Sequence, residues 1–368
     1  MRFWMCAVMA VLSVAGPCQA GPAGKGPGPA LAPETAAVVR HSADYVLACQ
    51  LPDGLIAMTP DQKVWAVPYF ASLASIGLLR AYQGTGDARY LRAVLRYADW
   101  HARHLNPDGT IYDLRGTRDK PEPTQDYDSS DAYPALFLSL CWETYRVTGD
   151  RAWLKALSPA LARCVEGMRL TWQLDGLTFG KPDYRVKYLM DNLEVRVGLR
   201  AAVGIARTLR DSAHAKAWKG LLEENRRGLC RLWLAQEGRF AMAMFEDGKL
   251  HQEFAKWYPD GMANAMALAY ILDPRDPKAR ALNDAVNGAF TKDADFWRFA
   301  ALRKFGPSQE AARVRDAMPS NLKYSLDHGL YLRALLPEKD TFFFDEERLR
   351  LPDLSAAGER SGVRGGGM

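Results

Sequence analysis

The sequence predicts an all-α protein whose helices pair into six hairpins, and three observations carry that expectation. Apolar residues recur at helical spacing along most of the chain. One hairpin sequence returns 63 residues further on, and acidic and aromatic residues gather at the starts of alternate helices.

The chain opens with one charge, Arg2, then an apolar run from Phe3 to Val14 and small residues up to Cys18-Gln19-Ala20. That is the pattern of a cleaved secretory signal over residues 1–20, too short to cross a membrane. Residues 21–33 are mostly Gly, Pro and Ala, which cannot bury a core and are expected to form a flexible leader. No Pro/Gly/Ser-rich linker interrupts residues 34–350, so these are read as one domain, followed by a disordered tail over 351–368.

Within that domain, Phe70, Leu73, Ala74, Gly77, Leu78 and Ala81 share a helical face, as do Leu91, Val94, Leu95, Ala98, Ala102 and Leu105. The same spacing predicts helices over 34–50, 66–83, 87–105, 131–147, 150–172, 190–210, 213–234, 260–272, 276–290, 295–304, 308–317 and 324–335. Tyr82-Gln83-Gly84-Thr85-Gly86-Asp87-Ala88-Arg89-Tyr90-Leu91 and Tyr145-Arg146-Val147-Thr148-Gly149-Asp150-Arg151-Ala152-Trp153-Leu154 have the same plan. In each, a Gly stops one helix and an Asp caps the next. A second mark recurs at Asp53-Gly54, Asp108-Gly109 and Asp175-Gly176, and in weaker form at Glu237-Gly238.

A net charge of +5, with Lys and Arg spread along the helices, gives no basic block for nucleic acid and is compatible with an acidic polysaccharide. Cys49, Cys141, Cys164 and Cys230 remain after the leader. Lacking CxxC spacing, they read as buried thiols or as a disulfide whose pairing cannot be assigned. No Gly-rich phosphate loop, GxSxG elbow or zinc spacing is present, so neither cofactor nor metal is expected. The chain is expected to be a periplasmic or secreted bacterial monomer without stable membrane insertion.

The long connections enter alternate helices with Trp65 and Tyr69, then Asp126, Asp128, Asp131 and Tyr133, then Tyr188, Asp191 and Glu194. Trp257, Tyr258 and Asp260 follow, then Asp293, Asp295 and Trp297, then Tyr324, Asp327 and His328. Asp is also a favoured helix cap, so each acid has a structural reading. However, Asp126, Asp128 and Asp131 exceed the need of one helix end, and Glu194 shares a helical face with Asp191. Carboxylates beside rings suit carbohydrate chemistry, in which acids move protons at the glycosidic oxygen and rings stack on sugar faces. His328 is read either as a substrate contact or as a packed structural histidine.

Asp191-Asn192-Leu193-Glu194-Val195 resembles the Asp-Asn-x-Glu-Val helix opening of six-hairpin proteins, and Tyr258-Pro259-Asp260 is similar to a Tyr-Pro-Asp element in bacterial members. With the twelve-helix repeat, residues 34–336 resemble the (α/α)6 barrel, or toroid, of the six-hairpin glycosidase superfamily. A helical solenoid is the architectural alternative. The resemblance implies that even-numbered helices line the inside and that the odd-to-even connections carry the active site. The Ser-Glu-Gly motif of bacterial endoglucanases with this barrel is absent, so no single family follows.

The resulting expectation is a glycoside hydrolase acting on a polysaccharide or oligosaccharide, with inversion. Asp131 and Asp191 are the acid–base pair, Glu194 and Asp260 are further acids, and Trp65, Tyr69, Asp128, Tyr133, Tyr188, Trp257, Tyr258 and His328 bind substrate. A polysaccharide lyase or uronate-processing enzyme using Tyr258, His328, Arg185 and Lys187 is the alternative, as is a non-catalytic carbohydrate-binding or polysaccharide-assembly protein.

Overall fold

A computed structural model describes residues 31–336 together with Leu349 and Leu351. The expected signal and nearly all of the leader and tail lie outside the described residues. Among the described residues twelve α-helices form where the spacing predicts them: α1 Pro33–Cys49, α2 Pro68–Thr85, α3 Ala88–His104, α4 Ala132–Thr148, α5 Arg151–Arg169 and α6 Leu189–Leu209. The others are α7 Ser212–Cys230, α8 Met262–Tyr270, α9 Pro277–Ala289, α10 Phe296–Phe305, α11 Ser308–Ala317 and α12 Ser325–Leu335.

The repeated sequences close their helices as their chemistry requires. Gly86 and Gly149 take the left-handed conformation (φ 73° and 69°) and return their N–H groups to Tyr82 and Tyr145, while Asp87 and Asp150 cap α3 and α5. A third copy joins α6 to α7, with Arg210 in the left-handed position and Asp211 as the cap, which the sequence pattern did not reveal because Gly is missing. The Asp-Gly marks are turns in which Asp53, Asp108 and Asp175 each accept from the N–H two residues on. Each turn lies against the next outer helix, at Arg96, Arg163 and Glu224 respectively.

The even-numbered helices form the inner ring in the order α2, α4, α6, α8, α10, α12, and α12 packs against α2 to close it. This closure rules out the solenoid. The inner helices are buried all round in their central turns: every residue from Ala71 to Ala81 on α2 and from Ala132 to Cys141 on α4 is buried, Arg80 among them. By contrast α3 buries one face, centred on Tyr90, Tyr97 and Trp100. Leu91 and Leu95 are only partly buried there, because the larger rings take the inward positions.

Arg80 of α2 and Glu143 of α4 form a 2.7 Å ion pair inside this wall, each side chain only 4% exposed. Arg146 lies 3.6 Å from the other oxygen of Glu143 and stays in place when this pair is broken, so Arg80→Met is expected to cost about 1–3 kcal/mol in urea unfolding. A loss under about 1 kcal/mol would show that Glu143 is otherwise compensated.

Four of the long connections carry short antiparallel strands that the helical reading did not anticipate. β1 (Lys63–Ala66), β2 (Leu114–Thr117) and β3 (Lys120–Pro123) form one sheet. β4 (Val186–Tyr188) pairs with β7 (Ala243–Phe245), and β5 (Trp233–Leu234) with β6 (Arg239–Phe240). Runs of two to four residues are too short for alternation to register. For the same reason α7 ends before Trp233, where the apolar pattern had suggested more helix. Leu351, placed in the tail by composition, is buried and donates its N–H to Asp276. The four cysteines of the described chain are free thiols, three of them buried.

Candidate active site

The entry to α4 fixes Asp131 completely. One carboxylate oxygen accepts from the Ser129 hydroxyl at 2.5 Å and the Ala132 N–H at 2.8 Å, and the other from the Thr178 hydroxyl at 2.5 Å. Asp131 is wholly buried, and burial, opposed by these donors, lifts its pKa to about 6. Its oxygens are committed to holding the α3–α4 and α5–α6 connections together.

Asp191 and Glu194 rise from the first turns of α6, three residues apart on one face. Glu194 is 1% exposed; one oxygen accepts from the Tyr69 hydroxyl at 2.7 Å and the other is buried with no hydrogen-bond partner among the described residues. Burial pushes the Glu194 carboxyl up to about 8, with the Tyr69 hydrogen bond and nearby Arg333 opposing and Asp131 adding to the rise. Asp191 keeps part of its surface accessible. Burial, followed by the negative charges of Asp131, Glu194 and Asp128, holds its carboxyl well above the ordinary range. The structure therefore brings Asp131, Asp191, Glu194 and Asp128 into one electrostatic group.

The Glu194 shift has a stability consequence. Between the ordinary value of 4.5 and about 8 the folded chain binds this proton more tightly than the unfolded chain does, so stability falls as pH rises through that window. Glu194→Gln keeps an acceptor for Tyr69 and removes the penalty. Its Tm is expected to match the parent near pH 4 and exceed it increasingly up to pH 9. A constant Tm difference across that range would exclude the buried ionisation.

The rim contains an acid that sequence reasoning did not single out. Asp113 accepts from the Tyr133 hydroxyl at 3.1 Å, and that hydroxyl receives the Asp128 N–H at 3.4 Å. Burial, opposed by the Tyr133 hydrogen bond and reinforced by Asp128 and Asp126, pushes Asp113 to about 6. The available signal was its place beside Tyr112 in the same long connection, an acid next to a ring. Tyr133 itself is 2% exposed and packs beside Tyr69, so it braces the rim rather than presenting a ring face.

The other aromatic candidates divide. Trp65 and Tyr258 are exposed, at 45% and 66%, and Tyr188 stacks with exposed Tyr184, their hydroxyls 3.0 Å apart. Trp257 is half-buried, donating its indole N–H to Asp295 and packing on Phe290. Asp295 caps α10, with burial raising it to about 6. Asp260 accepts from the N–H groups of Ala255 and Lys256 at 3.0 and 3.2 Å and so shapes its own loop. His328 is buried and stacked on Tyr45 at 4.0 Å; burial, then His41, lowers its pKa to about 4. Lys187 is paired with Asp175, and Arg185 with Glu246. Among the described residues, no group of His, Cys, Asp and Glu is arranged to hold a metal ion.

No protein-family model and no curated protein matches the sequence. Solved structures do match. A wild-type glycosidase superposes with a TM-score of 0.60 at 16% identity, covering 83% of this chain and all of its own. A GH63 mannosylglycerate hydrolase from Thermus thermophilus gives 0.57 at 11%, covering 80% of this chain and 99% of its own. The fold shared with these structures is the closed (α/α)6 toroid of six helical hairpins. A rhamnosidase from Klebsiella oxytoca, with rhamnose bound, gives 0.58 at 16%, covering 85% of this chain and 65% of its own. At these identities the likeness is one of architecture, and the six-hairpin toroid places the long connections at the mouth where Asp191, Asp128 and Asp113 gather.

Proposed function

We propose that the protein is an exported glycoside hydrolase that cleaves a polysaccharide or oligosaccharide with inversion. The observation that carries this reading is Asp191, a carboxyl whose pKa burial and neighbouring acids raise, partly accessible and without a hydrogen-bond partner among the described residues. Such a group is suited to general acid catalysis near neutral pH. Asp191 gives its proton to the glycosidic oxygen as the bond from that oxygen to the anomeric carbon breaks. Water attacks the carbon from the opposite face and passes its proton to Asp128, the exposed acid of the same group. The neighbouring carboxylate of Asp131 raises the affinity of Asp191 for its proton. Tyr258, Tyr188 and Trp65 offer ring faces to the sugars on either side.

Two further observations support this reading. The similar structures include proteins named as hydrolases of sugars, and the basic side chains that a lyase would recruit, Lys187 and Arg185, are held in ion pairs while His328 is buried. The export reading rests on residues 1–20. The test is incubation of the chain from Gly21 onward with neutral and acidic polysaccharides, following reducing ends and the ultraviolet absorbance of unsaturated uronates together. New reducing ends without the absorbance are expected. Reducing ends accompanied by the absorbance would make it a lyase, and binding with neither would make it a binding protein.

A further inference from the structure

On the outer side of the barrel a cleft of about 580 Å³ opens between the end of α1, the exposed face of α3 and the β2–β3 turn. Its size falls within the range of small-ligand sites. Arg89, Arg92 and Arg96 of α3 line it at successive turns, facing Arg118 from the hairpin, with Asp119 the acid in its wall. Arg89 is answered by Asp87 and Asp44. Arg96 donates to the carbonyls of Leu51 and Pro52, and Arg118 to those of Ala48 and Gln50. The carbonyl contacts fix Arg96 and Arg118 without neutralising them. Arg92 has no hydrogen-bond partner among the described residues, and the Nη1 of Arg118 is buried with none. Cations spaced at successive helical turns repel, and four arginines outnumber the three acids beside them, Asp44, Asp87 and Asp119, so the cleft keeps positive charge that a bound anion would offset.

We propose that this cleft binds the carboxylates of an acidic glycan, as an anchoring site separate from the catalytic mouth. Guanidinium forks match carboxylates in two-point hydrogen bonds. The three-stranded sheet joins the two regions: Arg118 lies at its β2–β3 turn, and Trp65 pairs with Arg115 across β1 and β2, the guanidinium 5.5 Å from the indole. A chain gripped in the cleft therefore runs along a sheet that carries an exposed ring towards the mouth. That the anion belongs to a carbohydrate rests on the proposed hydrolase reading.

The test is calorimetric titration of the full chain, carrying Asp191→Asn to prevent turnover, with oligogalacturonate, a malto-oligosaccharide of equal length and inorganic sulfate. Oligogalacturonate is expected to bind with an affinity that falls with salt, and to weaken at least tenfold in Arg92→Ala and in Arg118→Ala. Arg92→Ala, whose side chain staples nothing, guards against a folding defect in Arg118→Ala. Unchanged affinity in Arg92→Ala, or no binding of oligogalacturonate, overturns the proposal. Sulfate that fills the cleft without being displaced by oligogalacturonate reduces it to a small-anion site and overturns the glycan assignment. None of these readouts requires hydrolysis, so failure of the catalytic reading leaves them interpretable.

Discussion

Asp191→Asn is expected to lower kcat on the hydrolysed glycan by about 10²–10⁴-fold, the usual contribution of a positioned acid, while leaving the melting temperature within a degree or so of the parent. The amide has the same shape but no acidic proton. No hydrogen bond among the described residues depends on the Asp191 carboxyl, so little structural cost accompanies the loss. Asp131→Asn provides the contrast. Its carboxylate accepts from Ser129, Ala132 and Thr178, and the amide can replace only part of that set. It should lose stability as well as activity, by about 1–3 kcal/mol for a buried donor left without an acceptor. Steady-state kinetics alongside thermal melts separates the two. An Asp191→Asn protein with parental kcat would remove Asp191 from the proton path.

Gly77→Ala should destabilise the barrel by about 3 kcal/mol or more, at the upper end for overpacking. A Cβ at Gly77 would stand 2.3 Å from the Gly329 carbonyl oxygen, and one at Gly329 would stand 2.5 Å from the Ala74 Cα. These are contacts with backbone, which cannot rotate aside. They lie where α12 meets α2, so relief requires opening the ring at its closure. Gly220→Ala on α7 is the control, because nothing lies within 4 Å of the added methyl. It is expected to be neutral or stabilising by up to about 1 kcal/mol, from helix propensity alone. Equal midpoints for the two variants in urea would show that the inner helices accommodate the methyl by sliding.

Helix positions were legible because their causes are local. Apolar spacing, the Gly stops at Gly86 and Gly149 and the Asp caps at Asp87 and Asp150 act within a few residues, and all twelve helices formed at the predicted places. The segregation of acids and rings to one set of connections was equally visible, since chain order alone assigns each connection to an end of its hairpin. β1 and β4 were hidden because three or four residues stabilised by a partner far along the chain leave no periodic trace.

Sequence by itself thus determined the helical hairpins, their repeat and the end at which the chemistry gathers. Tertiary structure alone decided the role of each acid there. Asp131 is committed because Thr178, 47 residues away, reaches its second oxygen, and Glu194 is half-satisfied because Tyr69, 125 residues away, reaches one of its two. Asp113 joined the group through Tyr133, 20 residues on. A carboxyl's proton affinity depends on its burial and on the charges and donors around it, and in a closed ring those neighbours come from helices distant in sequence.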